Sequence, residues 1–236
     1  MMAYKLAGVV VLGVVLSGCG GEAAEKYGKK IRYEFEVTIT NLTASQPLSP
    51  SALIFHNPNW HVFKTGEAAS LELEQVAEAG DNQMLLDSAY QDKAVQKTES
   101  GSEVLLPGAT ERYQIRLTDR GRLQLSYVSM LVNTNDAFAA LDALQVSDMA
   151  VGDSLTRRLI SYDSGTEANS ETADSVPGPA SSGLAEGFNP ARDDIRNQVY
   201  VHPGVITSED GLSNSVLKAA HRWDNPVASI TVIRLD

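Results

Sequence analysis

From residue 31 onward apolar and polar side chains alternate: Tyr33, Phe35, Val37 and Ile39 share one parity, and Arg32, Glu34, Glu36 and Thr38 the other. A period of two puts each set on its own face of an extended chain, so the segment predicts a half-buried β-strand. Residues 41–50 are rich in turn formers. Ser51-Ala52-Leu53-Ile54-Phe55-His56 then reads as a second strand, closed by Asn57-Pro58-Asn59. Between residues 66 and 89 the composition turns to Ala, Leu, Glu and Gln. Leu71, Leu73, Val76, Ala77 and Leu85 fall near helical spacing and Gly80-Asp81-Asn82 supplies a stop, which predicts one or two short helices. Strand character returns over 103–106, 112–118, 123–132, 159–162 and 227–235, with Pro107-Gly108 and Asp119-Arg120-Gly121 as intervening turns. A long polar stretch, Ser164 to Arg196, is of the length that marks a functional or mobile loop. Many short strands with a minor helical insertion predict an all-β fold, an antiparallel β-sandwich.

The first thirty residues do not share this pattern. Lys5 precedes an apolar run from Leu6 to Leu16, followed by Ser17-Gly18-Cys19, which has the form of a secretory signal and is too short to span a bilayer. Leu16-Ser17-Gly18-Cys19 also resembles the bacterial lipobox, in which the cysteine is joined to diacylglycerol and becomes the new amino terminus. Cys19 is the only cysteine, so an intrachain disulfide and a thiolate metal cluster are both excluded, and lipidation gives it a purpose. The expected organisation is a signal peptide over 1–18, a lipidated anchor and linker over 19–30, and a folded domain over 31–236. This implies a bacterial cell envelope location with a lipid tether to the membrane. Gly20 is not the aspartate of inner-membrane retention, which in a Gram-negative host points to the outer membrane.

Charge narrows the partners. The chain carries 19 Lys and Arg against 30 Asp and Glu, a formal net charge of -11 at pH 7. Nucleic acid is therefore not an expected partner, since a basic stripe is its usual footprint. The sequence has no Gly-x-Ser-x-Gly elbow, and Gly178 to Gly187 is too polar and Pro-interrupted for a phosphate-cradling loop. The chain is accordingly not expected to be an enzyme. A minority alternative is a metal-dependent hydrolase built on His202, one of four histidines with His56, His61 and His221.

Two acidic segments offer the best candidate chemistry. One is Asn133-Thr134-Asn135-Asp136 with Asp142 close behind. The other is Tyr162-Asp163-Ser164-Gly165-Thr166-Glu167 with Asn169 and Glu171 after it. Each gathers oxygen-bearing side chains in a loop after an apolar run, as a hard cation such as calcium requires. Asp136, Asp142, Asp163 and Glu167 are the candidate carboxylate ligands, with Asn133, Asn135, Thr166 or backbone carbonyls completing the shell. Turn capping by the same Asp and Asn residues is the alternative.

Several of these stretches together resemble the spondin domain, the amino-terminal module of F-spondin and mindin that also occurs in bacterial lipoproteins. Tyr33 to Thr43 is similar to its opening strand. Ser129 to Phe138 with Leu141-Asp142-Ala143-Leu144 is similar to its strand, turn and following segment. Tyr162-Asp163-Ser164-Gly165-Thr166-Glu167 resembles its Tyr-Asp-Ala-Gly-Thr-Asp element, and Asn225 to Leu235 its closing strand. The resemblance implies a C2-like antiparallel β-sandwich, a Ca2+ site at its loop end, and adhesion or binding of a surface ligand (protein, glycan or lipid headgroup). An ion used only for stability in an envelope scaffold is the other function class. The sequence departs from the animal pattern at Ala137 and lacks the animal disulfides.

Overall fold

The computed structural model describes residues 30–119, 121–181 and 187–236. Its strands are β1 (Ile31–Asn41), β2 (Ala52–His56), β3 (Val95–Ser100), β4 (Thr110–Asp119), β5 (Gln124–Met130), β6 (Ala137–Gln145), β7 (Ser154–Asp163), β8 (Tyr200–Val201) and β9 (Ala228–Arg234). Two helices, α1 (Leu71–Ala79) and α2 (Gln83–Gln91), fill the expected helical insertion. α1 starts where Ser70 accepts a hydrogen bond from the Leu73 N–H. It stops at Gly80, whose φ of 68° is one that glycine adopts without a Cβ clash.

Hydrogen bonding follows the order β3-β2-β5-β6-β7-β9-β1-β4, antiparallel throughout, with β8 added to β7. β7 belongs to both halves of the fold. Its residues 154–159 pair with β9, and its residues 160–163 pair with β6. The end strands β3 and β4 approach one another, so the sandwich curls nearly into a barrel.

Between the two halves lies the main core: Tyr33, Phe35, Val37 and Ile39 of β1 face Phe55, Leu125 and Tyr127, as the alternation predicts. A second apolar layer sits outside β2, β5 and β6, where Ile54, Val128 and Phe138 meet Leu73, Val76, Leu85 and Leu86 of the helices. This explains why all five residues of β2 are buried whereas β1 is buried at alternate positions.

Three expectations are corrected. Residues 103–106 do not form a strand and contribute only the Leu48–Leu105 bridge. The edge is β3 instead, whose sequence Val-Gln-Lys-Thr-Glu-Ser has no buried face and so no alternation to detect. β6 occupies residues that read as loop, and β7 begins at Ser154, well before the expected 159–162, because its first five residues are largely exposed.

Candidate functional site

The two acidic segments meet at one end of the sandwich. The β6–β7 register pairs Ala137 with Asp163, which places Asp136 beside the turn that leaves β7. Thr134 shapes that approach, donating through Oγ1 to the Leu131 carbonyl at 2.6 Å and accepting from the Ala137 N–H at 3.1 Å.

Asp136 and Asp163 are both fully buried. Asp136 Oδ2 accepts from Ser164 Oγ at 2.6 Å and from the backbone N–H groups of Thr166 and Glu167 at 3.0 and 3.2 Å. Asp163 Oδ1 accepts from the Gly165 N–H at 2.8 Å, and Oδ2 from Asn169 Nδ2 at 2.8 Å. Glu167 adds its side chain to this end. Glu171, fully buried with a φ of 56°, accepts from the Ile206 N–H at 3.2 Å through Oε1.

These donors do not satisfy every oxygen. Asp136 Oδ1 and Glu171 Oε2 are buried with no hydrogen-bond partner among the described residues. A buried unpaired carboxylate oxygen costs its full desolvation, so the native state disfavours the charged forms. Burial, with the charge of Asp163 added, pushes Asp136 up to about 7. Burial likewise raises Glu171 to about 7, to which Asp163 contributes. Glu167 is pushed up to about 8 by burial, with Glu78, Asp136 and Asp193 adding to it. Asp163 is raised by burial too, against the opposing hydrogen bond from Asn169.

The surrounding shell is equally acidic. Glu78 of α1 accepts from the Asn189 N–H at 2.9 Å, and Glu74 pairs with Arg192, so the 187–199 segment is fastened to the helix beside the cluster. Gly165 is the tightest point of this packing: its φ is 70° and a Cβ there would lie 2.3 Å from the Gln198 carbonyl oxygen. Gly165→Ala is expected to cost about 2–4 kcal/mol, read from urea unfolding midpoints. A midpoint equal to that of the unaltered chain would remove the close-approach argument.

The other candidates have different places. Asp142 is not part of the cluster. It lies six residues beyond Asp136, roughly 20 Å along the strand at the usual rise, where it accepts from His61 Nδ1 at 2.6 Å, the Val62 N–H at 3.0 Å and Ser126 Oγ at 3.1 Å. Asn133 and Asn135 are engaged in holding loops: Asn133 bonds Ser45 and Ala180, and Asn135 bonds Ser170 and Glu171. His202 does face Asp163, at 3.8 Å. Both its ring nitrogens are occupied, Nδ1 accepting from the Gly204 N–H and Nε2 donating to Asn169 Oδ1, which leaves no lone pair for a metal. Cys19 lies outside the described residues. Glu171 enters the cluster without having been among the four carboxylates expected; its sequence position gave it an oxygen, but only the left-handed backbone turns that oxygen inward.

Among the described residues no three His, Cys, Asp or Glu side chains are grouped closely enough to hold a metal ion by themselves. A cation here would draw its remaining ligands from hydroxyls, carbonyls or water. No helix among those residues is long and apolar enough to cross a membrane.

The arrangement is therefore an all-β sandwich with a buried carboxylate cluster at its loop end. The family model described as Spondin_N matches residues 43–181, more than half the chain and both acidic segments, and the chain belongs to the spondin N-terminal domain family. β1, β8 and β9 lie outside the matched span and still complete the sheet. No curated protein matches the chain.

Proposed function

We propose that this spondin-domain chain is a lipid-anchored protein of the bacterial cell envelope that holds a calcium ion at the Asp136–Asp163 end and binds a surface ligand. The observation that carries the ion is the buried, unpartnered oxygen Asp136 Oδ1 beside the second carboxylate of Asp163, with a further unpartnered oxygen, Glu171 Oε2, on the far side of Asp163. The donor set is all oxygen, which suits a hard cation that takes six to eight oxygen ligands. Asp136 and Asp163 would hold the ion together with hydroxyl, carbonyl or water oxygens, Glu167 and Glu171 standing at the margin and Asp142 serving elsewhere. When bound, the ion supplies the positive charge that lets these carboxylates ionise together. The chain's own residues then keep the 164–171 turn fixed against β6 and β7. Lipid on Cys19 would tether the domain to the membrane.

The scaffold reading, in which the end serves stability alone, is favoured by one observation: Asp136 Oδ2 already takes donors from Ser164, Thr166 and Glu167, so the turn is pinned by protein groups. Calcium titration followed by thermal unfolding tests the ion. A native-state ligand adds about 2.7 kcal/mol to the unfolding free energy at a hundredfold excess over its dissociation constant, and the melting temperature rises with it. The rise is expected with calcium and is expected to vanish in Asp136→Asn/Asp163→Asn. An unshifted melt at millimolar calcium would sink the site.

A further inference from the structure

A second site lies on the outer face of the sandwich, where the ladder between β6 and β7 ends. The last pair is Ala140 with Ile160; beyond it β7 turns to β9, so Asp142 and Arg158, next in line on that face, are wedged apart and form no ion pair. The segment following His61 roofs the wedge, leaving a cavity of about 550 Å³, within the size range of small-ligand sites. Phe63 from that segment and Tyr162 of β7 are its apolar lining, two rings with centroids 4.7 Å apart and tilted 59° to each other.

The charges around this lining reverse the sign of the molecule. Two cations, Lys64 and Arg158, stand at the cavity against one carboxylate, Asp142, with His61 beside it, in a chain whose net charge is -11. Asp142 already accepts three hydrogen bonds, one of them from His61 Nδ1, and that bond turns His61 Nε2 outward. Lys64 reaches the exposed Glu67 at 3.7 Å, a weak surface contact. Arg158 is exposed and has no ion-pair partner among the described residues.

We infer that this wedge binds a hexuronic acid unit, the acidic sugar of a polysaccharide: the C–H groups of the sugar pack against the apolar corner made by Phe63 and Tyr162, the carboxylate meets Arg158 and Lys64, and Asp142 and His61 take the hydroxyls. Apolar corner, cationic rim and one acceptor carboxylate match the three chemistries of such a ring, and no single one of them does so alone. Guanidinium suits a planar carboxylate through paired donors. The site lies away from the Asp136–Asp163 cluster and needs no ion there.

Methyl β-D-glucuronide, titrated into the full chain and followed by amide NMR, tests the assignment. Saturable shifts centred on residues 61–65, 140–142 and 158–162 are expected, with methyl β-D-glucoside at least about tenfold weaker. Arg158→Met, a change at an exposed side chain, is expected to weaken glucuronide binding about tenfold with an unchanged melting temperature. Binding is expected to be the same in calcium and in chelator, so loss of the ion reading leaves this one standing. The inference is overturned by no saturation, by equal binding of the glucoside or of benzoate, by an unaffected Arg158→Met, or by binding only in calcium.

Discussion

Calcium-free protein is expected to become more stable as the pH is lowered from about 8.5 to about 6.5. Asp136 and Glu171 have folded values of about 7, and Glu167 of about 8, against roughly 4 for a carboxyl in an unfolded chain. Between those limits the native state holds protons that the unfolded chain has released. The resulting stability is fully present below the unfolded value and is lost as the pH rises through the folded values. Across this interval the gain on acidification is on the order of a few kcal/mol. His202 acts in the opposite sense. Burial lowers it to about 4, and burial lowers His56 as well, so below about pH 6.5 the unfolded chain takes up protons that these native rings refuse. Three carboxyls outweigh these two rings, so urea unfolding across pH should show stability still rising below about pH 6.5, with a shallower slope. Calcium is expected to flatten the alkaline limb, and Asp136→Asn to reduce its slope. A limb that is flat without calcium would mean the cluster is not ionising under strain.

Phe35→Ala is expected to lower the unfolding free energy by about 3–5 kcal/mol, enough to leave the domain marginal. Phe35 is fully buried and joins the halves of the sandwich: its ring stacks on Tyr33 in its own strand at 5.7 Å between centroids and on Phe55 of β2 at 6.0 Å. Alanine removes a large apolar surface and leaves a cavity that two hydrogen-bonded sheets cannot collapse to fill. Phe35→Leu is expected to cost clearly less, and Glu36→Ala, on the polar face of the same strand, within about 0.5 kcal/mol. Equal midpoints for Phe35→Ala and Glu36→Ala would contradict the assignment of faces.

Much of the frame was legible in the chain. β1 announces itself by strict alternation because one face meets the core and the other meets solvent, and α1 by its helical spacing and its Gly80 stop. β3 was not legible, since an edge strand without a buried face has no hydrophobic period, and neither was β6, whose opening Ala-Phe-Ala-Ala is buried on both faces. Within the site, Asp136 and Asp163 stood out as carboxylates following strands. Their juxtaposition depends on β6 and β7 being neighbours. Asp142 shows the limit of proximity in sequence: six residues of extended chain carry it out of the cluster and beside His61.

The sequence by itself determined that this is an all-β domain with a helical insertion, an acidic surface and two oxygen-rich turns, because hydrophobic period, turn residues and charge are local properties of the chain. Only the tertiary structure decided which carboxylates meet. Pairing register brings Asp136 to Asp163, a left-handed backbone at Glu171 turns a third inward, and the parting of β6 from β7 opens the cationic wedge at Arg158. Each of these depends on contacts between segments distant in the chain, set by burial of the shared core, and no local pattern encodes them.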